Sequence, residues 1–190
     1  MQHHSFGKLP RVSTLTLGGG GLGMLWGQTT FDECVATVHA AVAAGINLLD
    51  LAPRYGDGKA EEVVGAAFGG TLPPGVRVTS KCNLGNPPPR EIEAIIRRSI
   101  EASLKRLRLS RLDLFFLHSN VVPDEAFMAD WGDASSRMTP YAVFVAHVRP
   151  VFERLRCRRW AATWRSSVRP TSTLTGASTA SSMSWPPSAG

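Results

Sequence analysis

The sequence predicts an α/β chain of the (β/α)8 TIM-barrel type, truncated to about its first four β/α units. Three observations point there. Strand-length apolar runs alternate with stretches of helical periodicity. The runs are nearly continuous in apolar residues, as in parallel strands covered on both faces. The strands start near residues 14, 46, 76 and 113. At that spacing eight units would need roughly 260 residues, close to the ~250 of such a barrel.

The first strand is placed at 14–17, running into the glycine-rich segment Gly18-Gly19-Gly20-Gly21-Leu22-Gly23. Thr30-Phe31-Asp32-Glu33 has the form of a capping box, in which the Thr hydroxyl and Glu carboxylate each satisfy an orphan backbone donor. The helix it opens carries Val35, Val38 and Val42 on one face and stops at Gly45. Ile46-Asn47-Leu48-Leu49-Asp50 reads as a buried strand, followed by a loop and a helix over 60–68. A third strand over 76–81 is fenced by Pro73-Pro74-Gly75 and Pro87-Pro88-Pro89. The third helix is marked by Ile92, Ile95, Ile96, Ile100, Leu104 and Leu107 at helical spacing. A fourth strand, Asp113 to His118, precedes a long loop over 123–138 and a helix from near Pro140 towards Leu155.

The composition, 43% hydrophobic and 19% charged over 190 residues, is that of a globular chain and excludes collagen-like, disulfide-dense and broadly disordered classes. Three separated cysteines, Cys34, Cys82 and Cys157, predict free thiols and a cytoplasmic location. No apolar run is long enough for a membrane span or a signal peptide. The net charge of +6 suggests an acidic partner until it is divided along the chain. Residues 1–153 carry 15 Lys+Arg and 15 Asp+Glu, whereas residues 154–190 carry six arginines and no acid. The excess is therefore a property of the tail, and no nucleic-acid partner is expected for the folded part. Two regions follow: 1–155 as the half-barrel, and 156–190 as a basic tail read either as disordered or as out-of-frame coding, since lysine and acids vanish inside an unfinished helix.

Two cofactor readings compete. Gly18, Gly20 and Gly23 satisfy G-x-G-x-x-G, and Asp50 ends the second strand where a Rossmann sheet places its ribose-binding acid. Against this, five residues separate the glycines from the helix cap, whereas a Rossmann helix starts within the fingerprint and faces the pyrophosphate. The other signal lies at the strand ends. Three consecutive apolar runs finish in an ionisable residue, Asp50, Lys81 and His118, with Tyr55 five positions after Asp50. Each has an ordinary explanation alone. Together they occupy the carboxyl ends of consecutive parallel strands, where barrel enzymes place their chemistry.

Asp50, Tyr55, Lys81 and His118 resemble the catalytic tetrad of the aldo-keto reductases. Leu22-Gly23-Met24-Leu25-Trp26-Gly27, Tyr55-Gly56-Asp57-Gly58-Lys59-Ala60-Glu61 and Arg106-Leu107-Arg108-Leu109-Ser110-Arg111-Leu112-Asp113 are similar to the family's motifs, with Lys59-Ala60 departing from the serine common there. The resemblance covers about residues 9–156. It implies a barrel oxidoreductase using NADP(H), with NAD(H) as the alternative, on a small carbonyl or sugar, without a metal or a membrane. It implies Tyr55 as general acid/base, Lys81 as the cation that eases loss of a proton from a phenol of ordinary pKa about 10, Asp50 as the anchor of Lys81, and His118 as a donor to the carbonyl oxygen. Gly23 and Met24, with Asp50, are the cofactor contacts it implies. The family's remaining cofactor contacts come from strands this chain does not span. Inactivity, a non-catalytic half-barrel or interaction module, and self-association through exposed strand edges and inward apolar side chains are therefore further expectations.

Overall fold

The computed structural model describes residues 1–7 and 9–156; the expected disordered or out-of-frame tail lies, apart from Arg156, outside the described residues. The chain opens with an antiparallel pair, β1 (His3–Phe6) and β2 (Leu9–Ser13). It continues into a parallel sheet of β3 (Leu17–Gly18), β4 (Leu48–Asp50), β5 (Arg77–Cys82) and β6 (Leu114–Leu117). Neighbours in this sheet follow chain order without reversal. Helices α1 (Phe31–Ala43), α2 (Lys59–Phe68) and α3 (Pro89–Leu107) connect the strands. The order is that of an arc of a barrel. A doubly wound Rossmann sheet would reverse its strand order, and α1 starts at the Thr30 cap rather than in the glycine run. The dinucleotide fingerprint is thus a coincidence of consecutive glycines.

Local sequence explains each helix. The capping box at Thr30 is complete, with the Thr30 backbone donating to Glu33 Oε2 at 2.8 Å and the Glu33 backbone donating to Thr30 Oγ1 at 3.2 Å. Pro89 suits the first position of α3, where no amide donor is needed. The isoleucine stripe of α3 faces the sheet, so Ile92, Ile96 and Ile100 are buried.

Strand alternation then divides the sheet into two faces. Leu49, Leu51, Val78, Cys82 and Phe115 point outward into the helices and form one core with Val38, Val63, Ile96 and Val148. Leu48, Asp50, Thr79, Leu114 and Phe116 belong to the inner face, where they line a cleft of about 490 Å³ with Phe6, Val12 and Thr14 of the hairpin region. Asn47 ties that hairpin to the sheet, accepting from the Ser13 backbone at 2.7 Å and donating to Ser13 Oγ at 3.0 Å.

Several expectations require correction. The β1–β2 pair is absent from the sequence reading because His3-His4-Ser5-Phe6 shows no apolar alternation. The first sheet strand lies at Leu17–Gly18 rather than 14–17, since the Thr14 backbone donates instead to Gln2 at 2.9 Å. The loop over 123–138 contains α4 (Glu125–Ala129), capped by Asp124, and a 3-10 turn at Gly132–Arg137. It is flanked by a parallel pair, β7 (Asn120–Val122) and β8 (Met138–Pro140). The fourth helix comprises α5 (Tyr141–Val143), a π-helical turn at Phe144–Val148 and α6 (Arg149–Arg156). The inward apolar side chains are not bare: Leu48 and Leu114 are buried, and Phe116 is half-buried.

Candidate active site

The carboxyl ends of β4, β5 and β6 bring Asp50, Lys81 and His118 to one edge of the sheet. Asp50 is the last residue of β4, Lys81 lies in the last turn of the pleat in β5, and His118 follows β6, its backbone extending the ladder by donating to the Cys82 carbonyl at 2.7 Å. Tyr55 arrives on the loop between β4 and α2.

Lys81 is the hub. Its ammonium lies 2.9 Å from Asp50 Oδ1, donates to the Leu51 carbonyl at 2.9 Å and to the Tyr55 hydroxyl at 3.2 Å. An ammonium has three donors, and three oxygens meet it. Asp50 is fixed in turn by Thr79, its cross-strand partner, whose hydroxyl donates to Oδ1 at 2.6 Å. Lys81 Nζ also sits 4.8 Å from the centre of the Tyr55 ring. His118 stands edge-on to that ring, with centroids 5.8 Å apart at 86°.

Burial, and then the charges of Lys81 and Arg54, hold His118 below its ordinary value of 6.5, with Asp50 opposing. The ring is accordingly neutral near neutral pH, with one N–H to donate. Its Nδ1 is buried and makes no hydrogen bond among the described residues. A phenol, an ammonium and a neutral imidazole form a donor set suited to a carbonyl oxygen that gains charge and then a proton.

The glycine loop packs on the loop that carries Tyr55. A Cβ on Gly23 would collide with the carbonyl group of Tyr55, so the missing side chain lets two backbones touch. Gly23 therefore presses the glycine loop onto the Tyr55 loop, with the half-buried Met24 next to it. The space where a Gly23 side chain would stand is filled by the protein's own backbone. Asp50 is half-buried, and Lys81 and Thr79 both meet its Oδ1.

Sequence reasoning missed Thr79 and the Leu51 carbonyl. Thr79 was within reach: it stands two residues before Lys81 and so shares its strand face. A backbone carbonyl carries no such signal. No group of three or more His, Cys, Asp or Glu that could hold a metal occurs among the described residues, and none of their helices is long and apolar enough to cross a membrane.

Comparison with known proteins gives a consistent picture. The model of the Aldo/keto reductase family matches residues 14–141. L-galactose dehydrogenase of Arabidopsis thaliana is 32% identical over 110 residues, which are 57% of this chain and 34% of that protein. The aldo-keto reductase YhdN of Bacillus subtilis is 37% identical over 103 residues, covering 50% of this chain and 30% of its own length. Among solved structures, an aldo-keto reductase from Klebsiella pneumoniae in complex with NADPH superposes with a TM-score of 0.57 at 28% identity, over 82% of this chain and 46% of that one. A glycerol dehydrogenase from Gluconobacter oxydans gives 0.50 at 36% identity, over 60% and 38%. The chain thus spans about a third of these curated relatives and less than half of these two structures.

Proposed function

The chain belongs to the aldo/keto reductase family, and from that premise we propose that residues 14–141 carry the proton-transfer side of a nicotinamide-dependent reduction of a small carbonyl or sugar. The observation that carries this reading is the contact of Lys81 with both Tyr55 and Asp50, at 3.2 and 2.9 Å. A bound nicotinamide, NADP(H) with NAD(H) as the alternative, supplies the hydride in reduction and accepts it in oxidation.

The chain's own residues handle the oxygen. His118 donates to the substrate carbonyl and orients it. The Tyr55 hydroxyl gives its proton to that oxygen as the carbonyl carbon becomes tetrahedral, and the Lys81 ammonium stabilises the tyrosinate left behind. Asp50, held by Thr79, keeps Lys81 pointed at the phenol. In alcohol oxidation the tyrosinate takes the proton back. Asp50 and the Gly23–Met24 loop border the nicotinamide end, and the remaining grip on the cofactor falls to parts of the barrel outside the matched segment. A sugar or polyol substrate is supported by the names of two relatives, a galactose and a glycerol dehydrogenase.

The test is a graft in which residues 14–141 replace the matching segment of the Klebsiella reductase. The graft is expected to oxidise NADPH with small aldehydes and aldoses. A folded graft that binds NADPH but reduces no carbonyl in such a panel would overturn the proposal.

A second reading rests on the outer edges of β3 and β6, which pair with no further strand among the described residues. It assigns those edges to association with another copy of the chain or to a non-catalytic interaction role. Light scattering that finds only monomer at high protein concentration would remove it.

A further inference from the structure

Behind the site, on the helix-facing side of the sheet, lies a second ionic cluster that the chemistry does not use. Glu61, in the first turn of α2, is completely buried. Its Oε1 accepts from Ser80 Oγ at 2.6 Å and its Oε2 from Arg106 Nε at 2.6 Å. Ser80 Oγ is also 3.3 Å from Ser103 Oγ, and both serines are fully buried. A carboxylate withdrawn from water is costly unless each oxygen is satisfied. Here each of its oxygens has a donor.

What the cluster joins is informative. Ser80 immediately precedes Lys81 in β5, and Glu61 follows Tyr55 by six residues. The Ala60 backbone donates to the Tyr55 carbonyl at 3.2 Å, so the first turn of α2 is bonded directly to the Tyr55 residue. Arg106 closes the arrangement from α3. Its side chain lies where a Cβ of Gly58 would be, and Gly58, at φ 93°, forms the turn between Tyr55 and α2. Tyr55 and Lys81 sit on separate elements, yet a loop and a strand do not by themselves hold a 3.2 Å contact. Two short charged or hydroxyl bonds, one residue from Lys81 and one turn from Tyr55, can.

We infer that Glu61, with Ser80 and Arg106, is a positioning residue: a strut behind the sheet that sets the Tyr55–Lys81 contact in front of it. The inference deepens the proposed chemistry and rests on it. The strut works through the backbone at both ends, because strand alternation points Ser80 and Lys81 to opposite faces. It touches neither substrate nor cofactor.

The full chain has two tyrosines, Tyr55 and Tyr141, so labelling tyrosine with carbon-13 at the ring carbon bearing the hydroxyl gives two assignable resonances. Lys81→Met sets the Tyr55 position without the lysine. Ser80→Ala and Glu61→Gln are expected to move the Tyr55 resonance most of the way to that position, leaving Tyr141 still, and Ser80→Thr, which keeps a hydroxyl, is expected to restore it. Val38→Ala, a core truncation in α1, lowers stability without touching the strut and is expected to leave the Tyr55 resonance in place. Circular dichroism checks folding, and Arg106→Lys serves if Ser80→Ala does not fold. If Lys81→Met moves the Tyr55 resonance but folded Ser80→Ala and Glu61→Gln do not, the strut is overturned and the chemistry stands. If Lys81→Met itself moves nothing, the contact is denied and both fall.

Discussion

The two faces of the four-stranded sheet are made by the same short strands and differ in what they carry. Outward, Leu49, Leu51, Val78, Cys82 and Phe115 are at most 1% exposed and are sealed by helices. Inward, Leu48, Thr79 and Leu114 are buried, but Asp50, Lys81, Phe116 and the adjoining His118 are only half-buried. Adjacent residues therefore serve different ends: Phe115 stability and Phe116 the cleft wall, Ser80 the strut and Lys81 the chemistry. A two-residue period lets one strand hold a rigid support directly behind a reactive group, and a one-residue slip would exchange the two.

The largest expected effect breaks this comparison at neighbouring positions. Phe115→Ala empties a site stacked on Phe152, with centroids 5.9 Å apart, and is expected to lower the unfolding free energy by about 3–5 kcal/mol. Phe116→Ala, on the half-buried face, is expected to cost clearly less. Urea unfolding of both variants checks this, and equal losses would mean that the faces do not differ. Next in size is the helix layer. Thr30→Ala removes the capping hydroxyl of α1 and is expected to cost about 1 kcal/mol, read by the same method.

A smaller effect belongs to the inner face and depends on pH. His118 is held below 6.5 in the folded chain. As pH falls through that value the unfolded chain takes up a proton that the folded ring refuses, so unfolding is favoured. Stability is full above pH 6.5, declines below it, and levels off once the folded ring is also protonated. His118→Gln is expected to flatten that part of a plot of urea midpoint against pH. The smallest effect belongs to the outer face. Burial pushes the Cys82 thiol up to about 11, only partly opposed by Ser99. Iodoacetamide at about pH 8.5, where a free thiol is half ionised, is therefore expected to leave Cys82 unmodified in the folded chain, as read by peptide mass mapping.

The barrel-type fold was legible where one physical signal dominated. The capping box at Thr30, the isoleucine stripe of α3 and the prolines around β5 each state a local rule, and those elements appear within a residue or two of their expected places. The three strand-end residues and Tyr55 stood out in the sequence as unusual residue types in a regular place, and the structure brings Asp50, Tyr55 and Lys81 into contact, with His118 beside the Tyr55 ring. The hairpin was not, because His3-His4-Ser5-Phe6 shows no apolar alternation and its tie to the sheet, Asn47 to Ser13, has no local pattern. The strut was also hidden. Glu61 reads as an ordinary first-turn acid beside Glu62, and only the packing of α2 on α3 buries one and leaves the other exposed. The glycine run was ambiguous by residue type, since close approach to the Tyr55 backbone and phosphate binding ask for the same residue, and its distance from the α1 cap already spoke against the dinucleotide fingerprint.

The proposed chemistry turns on Tyr55 as the group that exchanges a proton with the substrate oxygen. The direct measurement is NADPH turnover and NADPH affinity of the graft carrying Tyr55→Phe, which removes one hydroxyl and keeps the ring against His118 and Lys81. Turnover is expected to fall by about 10²–10⁴-fold, the usual contribution of a positioned acid, with affinity unchanged. A Tyr55→Phe graft as fast as its parent would contradict the account.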